Sequence, residues 1–151
     1  LWHRVVHIWI INSKAELLLQ LRSKTKPDQP GKWDISIGGH IAAGETSCDA
    51  CMREAKEELG LNLPAEAFGY LFTLKRESSN RPGRLNREFC DVYLVHLDLP
   101  ESAYRFDDGE VEAVRYMPWR KLRETLALDG GGYVPHPDEY AQLFKVLEDM
   151  N

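Results

Sequence analysis

Three glutamates, Glu54, Glu57 and Glu58, lie on one helical segment behind a glycine turn, Gly38-Gly39-His40, and this arrangement constrains the chain more than any other. At about 100° per residue, Glu57 and Glu58 fall roughly 60° behind and 40° ahead of Glu54, so the three carboxylates project within an arc of about 100°. Cys48, Met52, Ala55 and Leu59 recur at helical spacing on the opposite side and read as an apolar stripe facing a core. Thr46, with Asp49 three residues on, supplies an N-cap and its capping-box partner, and Gly60 supplies a left-handed stop. The spacing therefore predicts an amphipathic helix over 47–59 with an acidic face. Like charges this close repel by a few tenths of a kcal/mol per pair in water, and by more once desolvated. A Glu-rich helix face is ordinarily just solvated. Here the glycines, Glu45 and Arg53 stand in fixed places around the trio, and a hard divalent cation is the natural group to offset the repulsion.

At 151 residues the chain reads as one domain, 1–151, with enough apolar content (43%) for a real core. A net charge of −5 argues against a broad basic footprint for nucleic acid. No apolar run approaches the roughly 20 residues needed to span a membrane, and no cleavable signal is visible. The expected setting is the cytoplasm. The chain opens at Leu1 in a strand-like run, from which further residues upstream are expected. Cys48 and Cys51 form a C-x-x-C inside the helix, with Cys48 on the core stripe and Cys51 near the edge of the acidic face. Without a second pair these read as buried or half-buried thiols rather than a zinc or redox motif.

The coarse layout is strand-rich. Strands are predicted at 2–11, 16–21, 33–37, 68–76, 87–97 and 111–116. A basic loop containing Asn80, Pro82 and Gly83 joins the fourth and fifth of these. Pro118-Trp119 opens a helix to about residue 126, and a terminal helix begins at Pro137 or Asp138. Interleaved strands and few helices give an α/β (α+β) domain. Two groups of cations offer themselves to an anionic ligand: Arg22, Lys24, Lys26 and Lys32, and then Lys75, Arg76, Arg81, Arg84 and Arg87. Trp2, Trp9, Trp33, Tyr70 and Phe72 could stack a base, although strand aromatics are more often core. His7, His96 and His136 read as structural.

Gly39, Glu45, Arg53, Glu54, Glu57, Glu58 and Gly60 fit the Nudix box, G-x5-E-x7-R-E-U-x-E-E-x-G-U with U aliphatic, at every fixed position, with Ala55 where a larger aliphatic residue is usual. The chain therefore resembles the Nudix hydrolase superfamily. The resemblance implies an α/β/α sandwich around a mixed β-sheet and a Mg2+-dependent enzyme, with Mn2+ as a substitute. Such an enzyme cleaves the diphosphate bond of a nucleoside diphosphate derivative or other organic diphosphate by water attack at phosphorus. It also implies that Glu54, Glu57 and Glu58 are metal carboxylates and that the carbonyl of Gly38 or Gly39 adds a ligand. Arg53 would hold a carboxylate in place, with Glu45 in the same network. Glu54 is the first choice for general base and Glu88 the alternative.

The stretch 22–40, with Trp33-Asp34-Ile35-Ser36-Ile37-Gly38-Gly39-His40, resembles the isopentenyl-diphosphate isomerase branch of the superfamily. That resemblance implies that Arg22 and Lys26 hold a diphosphate, that His3 and His40 ligate metal, and that Glu88 is a catalytic, metal-binding glutamate. Gly38 replaces the isomerase cysteine and Asn86 a ligand glutamate, so the isomerase set is incomplete while the hydrolase box is intact. Asn86-Arg87-Glu88-Phe89-Cys90-Asp91 and Tyr133-Val134-Pro135-His136-Pro137 resemble the Nudix domain that plants carry ahead of a dipeptidyl-peptidase III-like domain. The leading expectation is a diphosphate hydrolase. An isomerase-like enzyme and a non-catalytic diphosphate-binding module are the alternatives. The expected partner is a small-molecule diphosphate, not nucleic acid or membrane, and a homodimer is left open.

Overall fold

Strand β1 (Trp2–Ile11) runs through the middle of the structure, a computed structural model that describes residues 2–81, 84–107 and 109–150. From Val5 onward every residue of β1 is buried. A strand covered on both faces shows no polar alternation, which is why its sequence is a continuous apolar run. Val5, Trp9 and Ile11 enter one core, and Val6, Ile8 and Ile10 enter the other. Asn12 then turns the chain, its side-chain oxygen accepting the backbone N–H of Lys14 and Glu16 at 3.0 Å each.

Strand β2 (Glu16–Arg22) pairs with β1 only at Ile11↔Leu17 before the two part. The free edge of β1 is taken by β4 (Ile37–His40), from Val5↔His40 to Ile8↔Ile37, while β3 (Trp33–Asp34) pairs with β2. The single strand expected over 33–37 is thus two. The break has a physical cause: Ser36 bridges the parting strands, its hydroxyl donating to the Leu18 carbonyl and accepting the Ile10 N–H at 2.9 Å.

β5 (Gly69–Arg81) and β6 (Arg84–His96) form an antiparallel hairpin longer than the sequence suggests, with pairing carried to Arg81↔Arg84. Pro82 and Gly83, and the side chains of Arg81 and Arg84, lie outside the described residues. β6 runs parallel to β1 from Trp2↔Arg87 to Ile11↔His96, and β7 (Val111–Pro118) is antiparallel to β2. The seven-stranded sheet is therefore mixed.

Helix α1 (Ser47–Leu59) covers one face; α2 (Trp119–Leu128) and α3 (Pro137–Asp149) cover the other. This is an α/β/α sandwich. The ends of α1 are those the sequence predicts: Thr46 and Asp49 close a capping box, and Gly60 adopts φ +69°. Its buried side differs from the expected stripe. Ala50, Cys51, Ala55 and Leu59 are buried, while Cys48 and Met52 are only partly covered. Cys51, expected at the edge of the acidic face, lies on the i, i+4, i+8 row with Ala55 and Leu59. Burial is the main cause that pushes its thiol up. Among the described residues, no helix is long and apolar enough to cross a membrane.

Candidate active site

A cleft of about 730 Å³ opens where β1 and β2 part, reached by side chains of β1, β2, β4 and α1. The glycine turn brings α1 against β4. A Cβ on Gly39 would run into the Glu54 carboxyl group, so the missing side chain lets that carboxyl lie directly on the backbone of β4.

Arg53 fixes the acidic cluster from its flank. Its Nε and Nη2 donate to the two oxygens of Glu45 at 2.8 and 2.9 Å, Nη2 also reaches the His40 carbonyl at 2.9 Å, and Nη1 donates to Glu54. The Arg53 hydrogen bonds, followed by the Ala42 N–H, hold the Glu45 carboxyl down at about 2. The fork geometry gives guanidinium this bidentate grip.

Glu58 lies deeper. Gln20 donates to it at 3.0 Å and, through the same nitrogen, to the Ser36 carbonyl at 2.9 Å. Burial, then a hydrogen bond with Glu54, pushes the Glu58 carboxyl up to about 9. The donor set here, carboxylate oxygens beside glycine carbonyls, fits a hard divalent cation. Glu57 behaves differently. Its side chain is 58% exposed, pairs with Arg53 at 3.3 Å and does not line the cleft. The helical arc gives direction, but the lie of α1 on the sheet sends Glu54 and Glu58 inward and leaves Glu57 outside.

Arg22 and Lys26 both line the cleft. Arg22 donates from Nε and Nη2 to the Asp28 carbonyl at 3.2 and 2.8 Å, and Lys26 stands 3.6 Å from Glu110. Lys24 and Lys32 are not among the lining residues. In the second basic group, among the described side chains, Arg76 alone enters; Lys75 and Arg87 pack over Trp2 on the sheet surface. His3 and His40 face each other edge-on with ring centroids 6.3 Å apart, and only His40 lines the cleft. Glu88 also lines it, held by Arg76 at 3.1 Å. Among the described residues, none of the candidate stacking aromatics lines the cleft; Trp9 is core and Tyr70 is exposed on the outer face.

His7 and His136, read as structural, are held in hydrogen bonds and also reach the cleft. Behind His7 lies Glu139 of α3, 1% exposed, which accepts from His7 Nδ1 at 2.7 Å and from the Trp9 indole at 2.9 Å. Burial alone would neutralise both members of the pair. The carboxylate outweighs it and raises the His7 imidazole well above its usual value, while His7 holds Glu139 below its own. Cys90 lies within 4.8 Å of this pair. Both Glu139 oxygens are already engaged by His7 and Trp9, so the carboxylate serves the buried ion pair rather than a second metal cradle. His136 donates from Nε2 to Asp34 at 2.9 Å. Burial disfavours the Asp34 charge, but the His136 imidazole, the Ile35 N–H and His7 together outweigh it and hold the carboxyl low. Gln20, Asp34 and Glu139 were not singled out by the sequence. Asp34 and His136 do fall in the stretches that carry the resemblances, whereas nothing local marks Glu139.

A family model described as NUDIX domain matches residues 1–136. The chain belongs to the Nudix family. Nudix hydrolase 3 of Arabidopsis thaliana is 43% identical over 97% of the chain, which spans only 20% of that protein. The isopentenyl-diphosphate Delta-isomerase of Cutibacterium acnes is 31% identical over 80% of the chain and 62% of its own length. The chain thus spans less than two thirds of either relative. A Deinococcus radiodurans crystal structure superposes with a TM-score of 0.69 at 26% identity, covering 95% of this chain and 82% of that one. The glycine turn, α1 and the Arg53 clamp described above are the Nudix box in three dimensions.

Proposed function

We propose that this Nudix domain is a Mg2+-dependent hydrolase that cleaves the diphosphate bond of a nucleoside diphosphate derivative or other organic diphosphate by water attack at phosphorus. The observation that carries this reading is the convergence of Glu54 and Glu58 on a cleft whose other lining groups include Arg22 and Lys26. Glu54, Glu58 and the Gly38 carbonyl would hold the cation, with Glu57 able to join from the rim. Bound there, the cation supplies neutralisation of phosphate charge and a more acidic water. The remaining roles belong to side chains. Arg53 and Glu45 keep Glu54 on β4, Arg22 and Lys26 receive phosphate oxygens, and Glu54 accepts the proton of the attacking water. Glu88, facing the same space, is the second candidate for that proton.

Isomerisation is disfavoured by packing around Gly38. A Cβ there would stand 3.0 Å from Ile35 Cδ1 and 3.3 Å from the His7 ring, so the cysteine that the isomerase resemblance calls for would need both side chains to give by a few tenths of an ångström. The test is hydrolysis of a panel of organic diphosphates with Mg2+ in 18O-labelled water, followed by 31P NMR and mass spectrometry. Label in a phosphate product, with turnover lowered at least about 100-fold in Glu58→Gln, is expected. Label in the released alcohol, or undiminished turnover in that variant, overturns the proposal.

A further inference from the structure

Five residues that line the cleft join into one hydrogen-bonded belt from β2 to β6. Arg22 Nη1 donates to Asp34 Oδ2 at 3.5 Å, and His136 Nε2 donates to Asp34 Oδ1 at 2.9 Å. Arg76 Nη1 donates to His136 Nδ1 at 3.4 Å, and Arg76 Nη2 donates to Glu88 Oε2 at 3.1 Å. A guanidinium can only donate, so Nδ1 of His136 is the acceptor and the ring proton sits on Nε2. Arg76 also stands 3.8 Å from the buried Glu139, which ties the belt to α3.

His136 is the joint of this belt, and it is held there on purpose-built backbone. Trp33 donates to the Gly132 carbonyl and Val134 donates to the Trp33 carbonyl, each at 2.9 Å, which lays the segment before α3 along β3. Pro137 follows at the first turn of α3. His136 occupies the N-cap position of that helix, yet its side chain makes no capping hydrogen bond. Ser, Thr, Asp or Asn are the residues that cap a helix at that position. The imidazole is committed to Asp34 and Arg76 instead.

We infer that His136 is a positioning residue that couples the phosphate grip of Arg22 to the carboxylate of Glu88 across the cleft. It touches no reacting atom. Through Asp34 it sets the guanidinium of Arg22, and through Arg76 it sets Glu88, so the two sides of the substrate are registered by one rigid chain of contacts. The inference rests on the hydrolase reading above.

The test uses the full chain with His136→Phe, which removes both contacts, and His136→Gln, whose amide can donate to Asp34 and accept from Arg76. With the best-hydrolysed diphosphate, His136→Phe is expected to lower kcat/KM by about 30-fold or more, through a higher KM and a lower kcat together. His136→Gln should recover to within about fivefold of the native chain. Mg2+ affinity without substrate should stay within about threefold in both. Full activity in His136→Phe overturns the inference, and so does His136→Gln falling as far as His136→Phe. Long-range 1H–15N NMR of the native chain gives a readout free of turnover. His136 should appear as a single Nε2–H tautomer, its Nδ1 signal moving in Arg76→Met and its Nε2 signal in Asp34→Asn. If the native chain hydrolyses no diphosphate but these shifts appear, the function reading fails and the belt stands. If the shifts are absent, the belt itself fails.

Discussion

Glu58 is the residue whose state responds most to what sits beside it. Burial and the hydrogen bond with Glu54 push its carboxyl up to about 9, from an ordinary 4.5. The native state therefore binds the extra proton between those limits, and its stability falls as pH rises through that window. A cation held by Glu58, as proposed for Mg2+, would displace the same proton, so its affinity should rise with pH. Calorimetric Tm values taken without metal from about pH 5.5 to about 8.5 should decline, and both saturating Mg2+ and Glu58→Gln should reduce the decline. A Tm that climbs across this range would sink the assignment. Gly39→Ala probes the close approach on the other side of the cluster. The nearest obstruction is the movable end of Glu54, so folding should lose no more than about 1 kcal/mol while Mg2+ affinity and turnover collapse. Titration calorimetry and urea melts separate the two effects. Glu54 and Arg53 were legible because the helical period and the box fix them locally. The outward turn of Glu57 was not, because periodicity gives an angle and not a depth. His7 was not either, since its partner Glu139 lies 132 residues away.

The helices differ in how much of their purpose the sequence carries. α1 announces both of its ends, and the structure places them where the capping residues say. α3 announces a start at Pro137 but not its use, which is to deliver Glu139 beneath β1. Removing that carboxylate breaks a buried ion pair and strips the Trp9 indole N–H of its acceptor, which typically costs about 3–5 kcal/mol. Glu139→Ala should show this loss in urea unfolding at neutral pH, and Glu139→Gln a smaller one. A change under about 1 kcal/mol in both would show that the pair contributes little to docking α3. The sign of the pH dependence follows from the two shifts. Glu139, held low, contributes stability above the ordinary carboxyl range that is lost as pH falls through its folded value. His7, held high, contributes stability below the ordinary imidazole range that is lost as pH rises through its folded value. The hairpin of β5 and β6 was foreseen in kind but not in length, because polar residues such as Glu77, Ser78 and Asn86 pair through backbone atoms that composition does not report.

Across the molecule, the mixture of interleaved strands and few helices was legible from their order, while the sandwich followed only from the resemblance to the Nudix superfamily. The parting of β1 from β2 was not legible, since it depends on Ser36 reaching both strands at once. One core is closed by α3 through Leu143, Phe144 and Leu147 packing with Trp9 and Trp119. A chain ending after residue 132 should therefore lose cooperative thermal unfolding, and calorimetry would show a broad transition in place of a sharp one. A sharp, native-like transition would mean the sheet holds its own without that cover. The crowding of Gly38 by Ile35 and His7 also bears on what this corner of the cleft will accept. A side chain introduced there asks both neighbours to give by a few tenths of an ångström, and His7 is itself pinned from behind by Glu139. The tip of Ile35 is therefore the hinge on which any enlargement of Gly38 turns.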